Sequence, residues 1–291
     1  MKSPRLSVCL SVDFDAMSVW IGLLQSSSLT DMSRGEFGAY ALPRILELLA
    51  RHEILTSFYV PGHTALAYPD LVRRIRDEGH EIGHHGWVHE GGILDEGEER
   101  TVIERGLEAL DSVAGVTPVG HRTTGRPFTP ITIDLLLEYG FSYDHSFNAI
   151  DFYPYYLRTG DRWSTTEPYE FGELSELIAA PFQWAVDDFP LFEFTSWSVA
   201  QKSPAEVGAM WQDEFDYALA NCPGGYFDIT THPQVIGRAS RLIMLERLIE
   251  YMKGISGVRF ERTCDYIERW RRENPLAEWK NQRAGGPGRG A

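Results

Sequence analysis

Six side chains in this 291-residue chain have the types and spacing of a hydrolytic metal site. Asp13 and Asp15 close an apolar run, LSVCLSVDFD. His85 and His89 stand four apart in HGWVH, Arg122 follows His121, and His232 ends the stretch DITTH. Carboxylate oxygens and imidazole nitrogens are ordinary ligands of zinc and related divalent ions. A metal centre with an open position activates water and polarises a carbonyl. This inventory can hold one such ion and still leave an acid and a base for proton transfer.

The same stretch offers a competing pattern. His80-Glu81-Ile82-Gly83-His84 matches H-E-x-x-H, which binds zinc when both histidines lie on one continuous helix. Gly79 ends the preceding helix, and Gly83 and Gly86 follow within a few residues. Each glycine costs a helix about 1 kcal/mol. On a strand, His80 and His84 would lie on one face about 13 Å apart, too far to share one ion. If residues 86–90 form a helical turn, His85 and His89 face the same way and can share a metal.

The elements that must position these residues alternate. Apolar runs at 6–12, 56–60, 81–83, 118–121, 178–182, 226–230 and 258–261 predict strands. Helical spacing predicts helices at 42–52, 68–78, 97–113, 131–139, 204–219, 239–252 and 264–272. Repeated β–α units imply an α/β fold with a largely parallel sheet or a closed β/α barrel. In a barrel the carboxyl ends of the strands gather at one face. Asp13, Asp15, His85, His89, Arg122 and His232 all follow strands, with His121 close by. Taken singly, a strand-end Asp is often a helix cap and Arg122 could be a plain ion pair. Their shared placement carries the reading. Segments 18–40 and 148–176 break the alternation, and structureless insertions of that length wall active sites or meet partner subunits. No composition shift marks a second domain, so residues 1–276 are expected to form one domain and residues 277–291, which end AGGPGRGA, a disordered tail.

An apolar fraction of 43% supports a sizeable core, and the formal charge of -15 argues against nucleic acid or an anionic membrane as partner. The first residues do not read as a secretion signal, and the three scattered cysteines suit reduced thiols. A cytoplasmic protein acting on a small molecule, and forming a homo-oligomer, is expected. Trp20, Trp87, Phe128, Tyr155, Trp184 and Phe189 could wall a compact pocket for a flat ring. Asp187 and Asp188, in VDDF, could tune His232 or bind substrate.

Over residues 6–271 this motif set resembles the polysaccharide deacetylase family, the chitooligosaccharide-deacetylase homology domain of carbohydrate esterase type. The resemblance implies an irregular (β/α) barrel and a divalent metal, usually zinc. It implies Asp13 as catalytic base, Asp15, His85 and His89 as metal ligands, Arg122 orienting Asp13, and His232 as general acid. The chain departs from the family pattern at Phe14 and Ala16, at Gly86, and at Thr123-Thr124-Gly125-Arg126. SVDFDA, SRGEFG and TTHP resemble a subgroup that includes cyclic-imide hydrolases and a cytosolic-type peptidoglycan deacetylase, with a metal-free allantoinase as a further relative. The expected activity is hydrolysis of a non-peptide carbon–nitrogen bond in a small cyclic imide or amide, with Trp20, Trp87, Trp184 and Asp187 against the substrate. The alternatives are N-deacetylation of N-acetylglucosamine or peptidoglycan, and an inactive binding protein on the same fold.

Overall fold

A computed structural model describes residues 4–195 and 201–283. Among these, the strands are β1 (Leu6–Cys9), β2 (Val12–Asp13), β3 (Ser57–Val60), β4 (Glu81–His84), β5 (Gly120–His121), β6 (Tyr143–Asp144), β7 (Tyr155–Thr159), β8 (Glu173–Ala179), β9 (Gly225–Asp228) and β10 (Val258–Phe260). The run at 6–12 is broken in two. β1 pairs in parallel with β9 and β10, while β2 pairs with β3. From β3 the sheet continues through β4, β5, β6 and β8, all parallel, to the antiparallel edge strand β7.

Parallel bridges join the two sheets. Val12 pairs with Thr231, just past β9, and Asp187, past β8, pairs with Thr230. Backbone bonds from Asp13 N to Thr231 O (2.8 Å) and from Thr230 N to Val186 O (2.9 Å) complete the ring. The result is the irregular (β/α) barrel expected from the sequence. LSVC, SFYV and GYFD are buried throughout, as strands covered by helices on one side and by the barrel interior on the other must be. Helix Glu96–Ala114 starts at a capping box of Asp95 and Glu98 and stops at Gly115 with φ 62°.

Three expectations need correction. Segment 18–40 is not structureless: a helix runs Leu29–Arg51, well ahead of the predicted start at 42. Gly35, Gly38 and Pro43 mask its periodicity. Two of them answer to packing, because a Cβ on Gly35 would meet Met17 Cα at 2.6 Å and one on Gly38 would meet Gln234 Oε1 at 3.0 Å. Segment 148–176 holds β7 and the start of β8, paired as a hairpin with Trp163 stacked on Tyr169. Its tip lies at the amino end of β8. The tail is helical at Leu276–Arg283, with Trp279 packed on Trp270 and Tyr156 at ring separations of 5.2 and 6.0 Å. The rest of the tail, 284–291, lies outside the described residues.

Candidate active site

β2 sets the position of the first carboxylate. Its two residues pair with Phe58 and Tyr59, so Asp13 emerges at the carboxyl end of the ring and Asp15 follows two residues later, just before the chain turns. β4 delivers His85 directly after His84, which pairs with His121 of β5. Residues 86–90 form a loop, so it is not a helical turn that brings His85 and His89 to one side. The Glu90 carboxylate accepts from the backbone N–H groups of Trp87 (3.1 Å) and Val88 (2.8 Å), taking over from helical carbonyls. Gly86 at φ 69° and His89 at φ 60° turn the chain. A histidine in the left-handed region is uncommon, and such conformations cluster at functional sites.

The loop brings His89 to His85, with ring centroids 5.0 Å apart. Asp15, His85 and His89 each offer a ligand atom within 4.8 Å of the others. His85 Nε2 lies 3.5 Å from Asp15 Oδ1 and His89 Nε2 lies 3.8 Å from Asp15 Oδ2. Asp15 Oδ1 and His85 Nε2 are buried without a hydrogen-bond partner. Buried polar atoms rarely go unpaired, and these two converge. His85 Nδ1 donates to the Arg122 carbonyl (2.9 Å), which leaves Nε2 as the lone-pair nitrogen. Burial holds His85 and His89 below the usual histidine range, so both are neutral and ready to ligate. Burial also raises Asp15, and neighbouring Asp13 adds to the rise; a cation among these donors would reverse it. The donor set fits a divalent ion of the zinc type. H-E-x-x-H forms no such group. His80 Nδ1 accepts from Thr56 N (3.2 Å), and His84 stacks on His121.

Opposite the metal group, Arg122 Nη1 donates to Asp13 Oδ1 at 2.6 Å. Burial opposes ionisation of Asp13, but the guanidinium prevails and holds its carboxyl below the usual range. His232 Nε2 faces both aspartates, 3.7 Å from Asp13 Oδ2 and 3.7 Å from Asp15 Oδ2. Its Nδ1 donates to Asp188 Oδ1 at 2.7 Å. Burial works against the charged ring, yet the bond to Asp188, with the charges of Asp188, Asp187 and Asp15, lifts His232 to about 10. Asp187 caps the short helix Asp188–Phe192 by accepting from Phe189 N (2.8 Å).

A cavity of about 320 Å³ opens over these groups. Val19, Leu23, Phe182, Trp184, Phe189 and Pro190 supply its apolar wall, and Asp187 and Thr124 lie in its lining. Trp184 stands at 57% exposure. The expected placement of Trp20 and Trp87 is corrected. Trp20 is core beneath the Arg34 guanidinium (4.1 Å), and Trp87 packs under Arg105 (3.8 Å). Neither lines the cavity; nor do Phe128, in a cluster with Phe147 and His121, and Tyr155, buried in β7. The sequence reading missed His145, Asp228 and Ser11 around Arg122 and Gln234 on Asp15. His145 follows β6 as Arg122 follows β5, so a register for short strands would have found it.

The chain belongs to the polysaccharide deacetylase family. Residues 35–143 match the polysaccharide deacetylase domain. A peptidoglycan deacetylase of Helicobacter pylori is 33% identical over 93% of this chain and 98% of its own length. A peptidoglycan deacetylase-like protein of Gibberella zeae is 29% identical over 86% of this chain and 81% of its own. Among solved structures, a Mycobacterium smegmatis protein assigned as a polysaccharide deacetylase superposes with a TM-score of 0.82 at 29% identity, covering 94% of this chain and 92% of that one. Puue allantoinase shares the fold, with a TM-score of 0.78 at 24% identity over 94% of this chain and 92% of its own. The family places the protein among hydrolases of carbon–nitrogen bonds other than peptide bonds. No described helix is long and apolar enough to cross a membrane.

Proposed function

We propose that this protein opens small cyclic imides or amides by metal-dependent hydrolysis. The observation that carries the reading is the cavity: at about 320 Å³ it is at the small end of ligand pockets, and its wall is mostly apolar. Such a chamber suits a single flat ring better than a polymer laid in a groove. Trp184 and Asp187 would contact that ring from the lining.

Asp15, His85 and His89 would hold the ion, zinc by their donor chemistry. When bound, it supplies Lewis acidity toward a carbonyl oxygen and toward water. Asp13, kept ionised and aimed by Arg122, accepts the proton of the attacking water. Asp188 and its acidic neighbours hold His232 in the charged form, so Nε2 carries a proton toward the aspartates while Nδ1–H stays on Asp188. That proton passes to the leaving nitrogen as the carbon–nitrogen bond breaks, and an imide is released as the half-amide of a dicarboxylic acid. Free Cys9, Cys222 and Cys264 agree with a reducing, cytoplasmic setting.

A second reading, N-deacetylation of an N-acetylated sugar, is favoured by the Helicobacter pylori relative, which this chain matches over 98% of its length. The same acid, base and metal ligands would serve it. The deciding assay offers zinc-loaded protein succinimide, phthalimide and dihydrouracil on one panel and N-acetylglucosamine oligomers on the other, with and without chelator. Chelator-sensitive ring opening supports the first reading. Acetate release without ring opening transfers the assignment to the second.

A further inference from the structure

Arg122 stands between two buried carboxylates. Its Nη1 lies 2.6 Å from Asp13 Oδ1, and its Nη2 lies 3.6 Å from Asp228 Oδ2. A guanidinium in that position can turn its fork toward either. What directs it is a set of three contacts on Nε and Nη2. Nε donates to the His145 carbonyl (3.2 Å), Nη2 to His145 Nδ1 (2.7 Å), and Nη2 also to Ser11 Oγ (2.8 Å). The Tyr59 ring lies face-on to the guanidinium, 4.2 Å from Cζ. His145 thus takes donors from two corners of the guanidinium plane and fixes its rotation.

The polarity of His145 is set at its other ring nitrogen, which also lies 3.5 Å from Asp228 Oδ2. Nε2 lies 2.8 Å from the Pro181 carbonyl, which can only accept, so the proton is on Nε2 and Nδ1 is an acceptor. Asp228 is kept from competing. It accepts from Ser11 Oγ (2.8 Å) and Thr230 Oγ1 (2.9 Å), and the Ser11 hydroxyl relays between it and Arg122. The placement follows from register: His121 pairs with Asp144, so Arg122 and His145 are the next residues of adjacent parallel strands.

We infer that His145 is a positioning residue of the reaction: it commits Arg122 to Asp13 and away from Asp228, and so holds the base ionised and aimed. The inference rests on the reading of Asp13 as the base. It predicts that the acceptor at Nδ1 matters, not the ring. His145→Asn puts an amide oxygen near Nδ1 and should keep most activity. His145→Leu removes the acceptor and should lower kcat by about 10- to 100-fold, the range seen when groups that orient a site are lost. KM and zinc content should stay near those of the parent. If His145→Leu does not fold, His145→Gln replaces it, since its amide reaches toward Pro181 and leaves the Nδ1 position empty.

The measurement is kcat and KM for the three proteins on whichever panel the parent turns over, with zinc content and a crystal structure of each. A folded His145→Leu protein with parental kcat overturns the inference, as does His145→Asn falling as far as His145→Leu. If the parent turns over neither panel, the functional proposal fails, and the crystal structures still decide the inference. Arg122 turned to Asp228 in His145→Leu supports it, and Arg122 unmoved on Asp13 overturns it.

Discussion

His232 Nδ1 and Asp188 Oδ1 are 2.7 Å apart, and both side chains are buried. Asp188 also accepts from the His232 backbone N–H at 3.1 Å, so one carboxylate fixes both the ring and the chain that carries it. This pair gives His232 its direction: with Nδ1 committed, only Nε2 can serve the cavity.

Asp188→Asn should therefore leave metal binding intact while lowering kcat by about 100-fold or more, within the range general acid–base groups contribute. Asp187→Asn, at the cavity lining, should act mainly on KM. Steady-state kinetics with metal analysis of both variants separate the two acids.

Asp13→Asn should abolish turnover with metal retained, whereas His89→Ala should lose metal. The readout besides activity is thermal stability. A ligand at 100 times its Kd stabilises the folded state by about 2.7 kcal/mol, so saturating zinc should raise the Tm of chelator-treated parent and Asp13→Asn but not of His89→Ala. An active Asp13→Asn enzyme refutes the base assignment.

Gly22 packs against the loop that carries His89. A Cβ there would meet Val88 O at 2.0 Å and His89 O at 2.6 Å, both backbone atoms that cannot swing aside. Gly22→Ala should push the loop outward and weaken zinc binding by about tenfold or more. Zinc titration, with Ser18→Ala nearby for comparison, tests whether the effect comes from the loop.

His80 predicts a dependence of stability on pH. Burial depresses it from 6.5 to about 4, and Thr56 N–H donates to its Nδ1. Below pH 6.5 the unfolded chain takes up a proton that the folded chain refuses until near pH 4. Stability is thus fully present above 6.5 and lost as pH falls toward 4, by about 1.4 kcal/mol per pH unit where only the unfolded state is protonated. Denaturant unfolding at pH 7 and pH 5 should show a smaller loss in His80→Asn than in the parent. An equal loss in both removes His80 as a cause.

Much of the site could be read from the chain because it is written in short-range spacing. Alternating strand and helix patterns come from local apolar periodicity; they predicted a largely parallel sheet or a closed barrel, and the family resemblance pointed to the barrel. Gly79, Gly83 and Gly86 argue locally against a helical H-E-x-x-H, and the rejected pair proves to be a structural His80 and a stacked His84. Strand ends gathered Asp13, Asp15, His85 and His89 at one face, the resemblance singled out Asp15, His85 and His89 as ligands, and these three converge.

Only the tertiary structure decided what depends on direction. Asp187 and Asp188 are neighbours with the same chemistry; the one that caps Phe189 N leaves the other to face His232. Trp20 and Trp87 have the composition of pocket walls but point under Arg34 and Arg105, and nothing in their local sequence says so. His145 reaches Arg122 because two short strands align His121 with Asp144, a register set by hydrogen bonds between residues 23 apart in the chain. Spacing fixes which residues lie on one element, but their aim at residues of another element is set by packing between the two, and that is non-local.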